Sequence, residues 1–244
     1  GKRLKELQIT KSNISTITSD FLINFQELDR ISIRESRIKK IEAFPRLIQL
    51  DSLILKGNNI LSLPNDLTNK LPRLNIMVLT DTAINFKYLP GFMFQKVPLT
   101  HLHLSGNAIV SMTSDTFSTL NKLENLKLDN NSISVLPKKV FHDLESLVEL
   151  NLNKNSLLNL HKDNFIGLKS LRSLILSNNN PPCNVGISLI FFKAKKSSFI
   201  KMKFSEISLV SVTIFKQLII LSNLSMQKQL AYIEALMAGP PSPE

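Results

Sequence analysis

One spacing rule governs most of this chain. Leucine-like residues recur in the pattern L-x-x-L-x-L-x-x-N-x-I, with starts at Leu4, Leu28, Leu50, Leu74, Leu99, Leu123, Leu147 and Leu171. Successive starts lie 24, 22, 24, 25, 24, 24 and 24 residues apart. A fixed period of this length marks a stacked repeat, and it constrains the architecture before any single residue is interpreted. The clearest copy runs Leu123, Leu126, Leu128, Asn131, Ile133, Leu136, Pro137, Phe141, Leu144. The next runs Leu147, Leu150, Leu152, Asn155, Leu157, Leu160, Phe165, Leu168.

Each part of the pattern has a physical reading. The L-x-L core alternates with period two, so it predicts a short strand with its leucines on one face. A unit this small cannot bury that face alone, and stacking neighbours builds one continuous core. The ninth position falls where the chain leaves the strand and turns. An asparagine amide there both donates and accepts, so it satisfies backbone groups that the turn leaves unpaired. That position holds Ser12, Ser36, Asn58, Thr82, Asn107, Asn131, Asn155 and Asn179. The hydroxyls of copies one, two and four replace only part of the bonding. Late in their copies, Phe92, Phe117, Phe141 and Phe165 recur, with Phe44 in the shortened second copy. Stacked, they predict an aromatic column in the core.

These residues resemble the leucine-rich repeat family. The length of about 24 residues, with x-L-P-x-x-x-F-x-x-L after the asparagine, is similar to its typical extracellular subfamily, found in Toll-like receptors, Slit and small leucine-rich proteoglycans. The resemblance implies an α/β repeat solenoid: a horseshoe with short parallel strands on the concave face and irregular or short helical convex segments. It covers residues 4–182 and places the solenoid of eight repeats in residues 1–182. Extracellular members often close with an asparagine–proline pair and then Cys-x-Cys, opening a disulfide-bonded cap. Pro181 and Cys183 match that opening, but Val185 stands where the second cysteine belongs. Without cysteine-rich caps, the chain reads as a segment of a longer or divergent ectodomain.

Residues 183–238 carry no copy of the repeat and are expected to form a partly helical capping region, with a helix over 226–238, followed by a disordered tail at 239–244. The apolar run Ile207 to Phe215 is bounded by Glu206 and Lys216. That is too short for a bilayer, which takes about 20 residues as a helix. Membrane attachment is therefore expected only through parts outside this chain. Among 244 residues there is one cysteine, which excludes an internal disulfide framework. The chain carries a net charge of +11 without a block of like charges, so anionic partners are attracted in general and a nucleic-acid tail is not indicated.

In a solenoid of this kind the non-leucine strand positions face the concave side. Ile54, Ile76 and Val78 occupy such positions on adjacent strands, where they predict an exposed apolar patch of the kind that marks interaction sites. His101 and His103 follow, two apart and so on one face. They read first as solvated surface histidines, with a metal pair as the sharper alternative. No metal or cofactor is expected. Copies six to eight place Asn125, Lys127, Asp129, Glu149, Asn151, Asn153, Lys154 and Arg172 on the same face. Ile54, Ile76, Val78, His101, His103, Lys127, Asp129 and Asn151 are the candidate ligand-binding residues. Arg34, Arg37, Lys39, Lys40 and Arg46 make the densest basic cluster. Three N-x-S sequons, at Asn13, Asn130 and Asn223, are the candidate glycosylation sites.

No phosphate loop, nucleophile elbow or H-E-x-x-H motif occurs, so no enzyme is expected. The resemblance implies a non-catalytic protein-binding module, a segment of an extracellular or cell-surface receptor or adhesion protein whose concave face recognises a protein or glycan ligand, without nucleic acid. The alternatives are a matrix component that binds glycosaminoglycan by charge and an intracellular leucine-rich repeat adaptor.

Overall fold

Each L-x-L core forms a short strand, and the strands stack in chain order into one parallel sheet. The structure is a computed structural model; it describes residues 3–179 except 83, 85, 86, 90, 96 and 159, together with 201–203. Within these the sheet runs through Glu6–Thr10, Arg30–Arg34, Ser52–Ile54, Ile76–Val78, His101–His103, Asn125–Lys127, Glu149–Asn151 and Ser173–Ile175. The eight expected copies thus supply eight neighbouring strands, and the chain is a leucine-rich repeat solenoid. A further strand, Lys201–Lys203, pairs parallel with Ser173–Ile175. It comes from the region that the repeat pattern left unmarked. The expected helix over 226–238, the cap residues Pro181, Cys183 and Val185, and the tail 239–244 lie outside the described residues.

Backbone hydrogen bonds repeat with the sequence period. The second-position carbonyl of one copy accepts from two N–H groups of the next. Asp51 O takes Asn75 N and Ile76 N at 2.8 and 2.9 Å, and Glu124 O takes Val148 N and Glu149 N at 2.8 and 3.0 Å. At the other end of the strand the eighth position turns the chain. Its residue is left-handed in every copy: Lys11, Glu35, Gly57, Asp81, Gly106, Asn130, Lys154 and Asn178 have φ between 48° and 71°. A Cβ on Gly106 would sit 2.0 Å from Asp81 Oδ1, so that carboxylate has to move before a larger residue fits there.

The ninth position carries the turn inward. Asn131 is fully engaged: Oδ1 accepts from Asn107 N and Ile109 N at 3.0 Å, and Nδ2 donates to Leu104 O, Leu128 O and Asp129 O at 3.0, 2.9 and 3.2 Å. Asn155 repeats this, accepting from Ile133 N and donating to Leu128 O and Leu152 O. Ser36 manages two bonds, from Ser12 N at 3.1 Å and to Arg34 O at 3.0 Å. Thr82 reaches Asn107 Oδ1 with both its N–H and its hydroxyl. In the third copy Asn58 donates to Ile33 O at 2.8 Å, while its buried Oδ1 meets no partner.

Inside the coil every apolar pattern position of the sixth copy is buried: Leu123, Leu126, Leu128, Ile133, Leu136, Phe141 and Leu144. Rings of successive copies form a column, stacked for Phe94–Phe117 and Phe117–Phe141 with centroids 6.3 and 6.0 Å apart, and tilted for Phe141–Phe165 at 6.3 Å. The fourth copy's ring in this column is Phe94, where the sequence count placed Phe92. That copy is one residue longer than its neighbours, and its convex segment winds as a 3₁₀ turn, Gly91–Phe94, which carries a later phenylalanine inward. Phe44 is buried as expected. Helices are short, as at Ser19–Leu22 and Leu67–Lys70.

Two substitutions test this account. Asn131→Ala strips five hydrogen bonds from partly buried backbone and is expected to cost about 3 kcal/mol, whereas Ser36→Ala, losing two, costs about 1 kcal/mol. Lys154→Gly relieves a left-handed side chain and is expected to raise stability by up to about 1 kcal/mol. Urea unfolding followed by circular dichroism measures all three.

Candidate ligand-binding face

Alternation along each strand decides what the concave face presents. The central residues Leu53, Met77, Leu102, Leu126, Leu150 and Leu174 point into the core, at 1% exposure or less. The residues on either side turn outward. Strand register lines these into two rows. One runs Ser52, Ile76, His101, Asn125, Glu149, Ser173; the other runs Ile54, Val78, His103, Lys127, Asn151, Ile175.

Seven of the eight candidate residues therefore share the two rows: Ile54, Ile76, Val78, His101, His103, Lys127 and Asn151. Asp129 stands two residues past its strand, at the rim. All eight are half-buried. The aliphatic patch is thus less open than the sequence predicts. Neighbouring strands lie about 4.8 Å apart, so Ile54 and Val78, paired in register, cover each other. The most exposed aliphatics lie elsewhere, past the asparagine turns: Leu61 at 61%, Val135 at 60% and Leu158 at 52%. Ile175 extends the second row and was missed by sequence reasoning, although its pattern position matches that of Ile54 and Val78.

A polar relay crosses the middle of the face. Thr100 Oγ1 donates to Asn75 Oδ1 at 2.6 Å and lies 2.8 Å from His101 Nδ1. The two imidazoles meet edge to face, with centroids 6.4 Å apart. His103 Nε2 is 3.1 Å from Asn125 Oδ1, and Asn125 Nδ2 donates to Glu149 Oε2 at 3.0 Å. At the rim, Asp129 Oδ1 accepts from Ser105 Oγ and Asn151 Nδ2 at 2.7 and 3.1 Å. Thr100 and Asn75 were missed by sequence reasoning. The available signal was two polar residues at the same pattern position in adjacent copies, one step before the strand.

Of the sequons, Asn13 and Asn130 are exposed, and Asn130 occupies the left-handed eighth position. Asn223 lies outside the described residues. In the basic cluster, Arg34, Arg37, Lys39, Lys40 and Arg46 are all exposed. Lys40 pairs with Glu42 at 3.0 Å, while Arg37, Lys39 and Arg46 have no carboxylate within ion-pair distance among the described residues. Among the described residues no three metal-ligating side chains come together, and no helix is long and apolar enough to cross a membrane.

Burial pulls the pKa of His103 below its ordinary 6.5; Lys127 and His101 add to the fall, and Asn125 and Glu149 oppose it. The folded state therefore binds this proton less readily than the unfolded chain, so its contribution to stability holds above pH 6.5 and is lost as pH falls below it. His103→Gln is expected to flatten the decline in melting temperature between pH 7.5 and 5.5, read by thermal unfolding at matched ionic strength.

The family model for leucine-rich repeats matches residues 2–60, 97–157 and 121–180, together more than half of the chain. No curated protein sequence matches it. Among solved structures it is similar to TLR13 in a complex with ssRNA13, at TM-score 0.63 and 22% identity, with 74% of this chain and 30% of that one covered. It is also similar to the Drosophila Toll–Spatzle complex, at TM-score 0.64 and 17% identity, with 86% of this chain and 30% of that one covered. At these identities the likeness speaks for the fold, and this chain spans under a third of either relative. The repeat, its asparagine turns and the parallel sheet agree with the family match: the chain belongs to the leucine-rich repeat family.

Proposed function

We propose that this chain is a non-catalytic recognition segment of an extracellular or cell-surface receptor, and that its concave face binds a macromolecular ligand. The observation that carries the reading is the pair of outward rows. Backbone bonds and buried leucines hold the strands in register, so the row residues vary without cost to the coil. Ile54, Ile76 and Val78 give one half of this face an apolar surface, and His101 to Asn151 give the other half a hydrogen-bonding one. The Toll–Spatzle complex supports a protein ligand by analogy of fold. The TLR13–ssRNA13 complex removes the ground for excluding nucleic acid, which returns as a candidate ligand class. Glycans on Asn13 and Asn130 fit this location, and a glycan on Asn130 would direct ligands toward Ile54–Val78.

A charge-driven reading rests on Arg37, Lys39 and Arg46, which have no carboxylate partner among the described residues, and on the net charge of +11. It makes the chain a glycosaminoglycan-binding matrix component. An array of secreted and cell-surface ectodomains, with single-stranded RNA and heparin added, separates the two. The receptor reading expects a partner whose affinity falls at least tenfold with Val78→Glu and is unchanged by Val135→Glu. Heparin as the sole ligand, lost steeply as salt rises above physiological strength, favours the charge reading. A partner indifferent to Val78→Glu overturns the concave-face assignment.

A further inference from the structure

The two histidines of the strand His101–His103 have their tautomers set by their neighbours. The Thr100 hydroxyl has one hydrogen, and it goes to Asn75 Oδ1 at 2.6 Å. Toward His101 Nδ1, 2.8 Å away, Thr100 Oγ1 is therefore an acceptor, so Nδ1 carries the proton. On the next strand, Asn125 is oriented by donating Nδ2 to Glu149 Oε2, which turns its Oδ1 to His103 Nε2. An amide oxygen only accepts, so His103 Nε2 carries the proton. What remains unprotonated is Nε2 of His101 and Nδ1 of His103, one lone pair on each of two adjacent rings. Imidazoles whose other ring nitrogen is held from behind by a hydrogen-bond acceptor resemble the outer-shell arrangement that metal-ligating histidines use.

We infer that His101 Nε2 and His103 Nδ1 form a two-histidine site for a divalent transition metal on the concave face. Imidazole pairs suit Cu²⁺, Ni²⁺ and Zn²⁺, with metal–nitrogen bonds of about 2.0–2.1 Å for zinc. The ring centroids stand 6.4 Å apart and the rings meet edge to face. No third ligating side chain joins them among the described residues, so the other coordination positions go to water or to a carboxylate or imidazole of a bound molecule. The other two histidines of the chain are engaged elsewhere: His142 Nδ1 lies 2.9 Å from Asp143 and His161 Nδ1 3.3 Å from Asp163. The site does not depend on the receptor reading, because the metal alone is its probe.

Titration of the full chain with Ni²⁺ and Zn²⁺ by calorimetry tests it. One ion per chain is expected, with binding lost in the His101→Ala/His103→Ala double variant and kept in His142→Gln/His161→Gln. Thr100→Val is expected to weaken binding about 10- to 100-fold while leaving both ligands in place, and Thr100→Ser to restore it. Melting temperature checks that each variant is folded. On the unaltered chain, substoichiometric Cu²⁺ should broaden the amide resonances of His101–His103 and the facing strands first. Equal affinity in the double variant, first broadening elsewhere, or no binding by the wild-type chain overturns the assignment.

Discussion

The fold depends on a polar problem that recurs once per turn. A strand buried on one side must leave the sheet and bend over the core, and each bend exposes backbone N–H and C=O groups to an apolar interior. A side-chain amide at the ninth position answers both needs at once, since its oxygen accepts while its nitrogen donates. Asn131 and Asn155 bridge their own turn to the preceding copy, so a local turn becomes a contact between coils. Hydrophobic burial drives the stacking, but it has no direction. The asparagine ladder fixes the register in which leucines stack.

Where the ladder thins, the structure shows what the amide supplied. Ser36 accepts once, from Ser12 N of the preceding copy, and donates once, to Arg34 O at its own strand end. Asn58 follows the shortened 22-residue copy, and its oxygen is buried without a partner, although its nitrogen still reaches back to Ile33 O. The equivalent oxygen of Asn131 takes two N–H groups from the copy before. A ladder tuned to 24 residues meets a different backbone when two are missing, and an acceptor is stranded there.

How far the sequence was legible follows from which positions carry side-chain chemistry. Strand positions, the core leucines and the asparagine turns were readable because each demands a residue type. The left-handed eighth position was not, because it is filled by lysine, glutamate, aspartate, asparagine and glycine alike. There the backbone ladder imposes the conformation: Glu35 N donates to Lys56 O and Lys154 N to Ser177 O, whatever the side chain. Phe94 was misplaced because a count along the chain does not know how tightly the convex turn winds. The strand at Lys201–Lys203 pairs through backbone in a segment that lacks the leucine signature. On the face itself, the candidate residues were legible as a set, since strand alternation assigns them. Their half-burial was not, because it depends on which neighbours stand beside them across strands.

The same cross-strand dependence gives the middle of the face its chemical character. His103 has Val78 on one side and Lys127 on the other in register, so apolar cover and a cation both disfavour its protonation. Asn125, oriented by Glu149, then fixes which nitrogen keeps the single proton. Neither effect belongs to the sequence around His103 alone, since Val78 comes from the copy before, and Asn125, Lys127 and Glu149 from the two copies after. A repeat protein of this kind writes its surface chemistry at intervals of 24 residues rather than in local motifs. Four consecutive copies must be read side by side before this half-buried pair of imidazoles becomes visible.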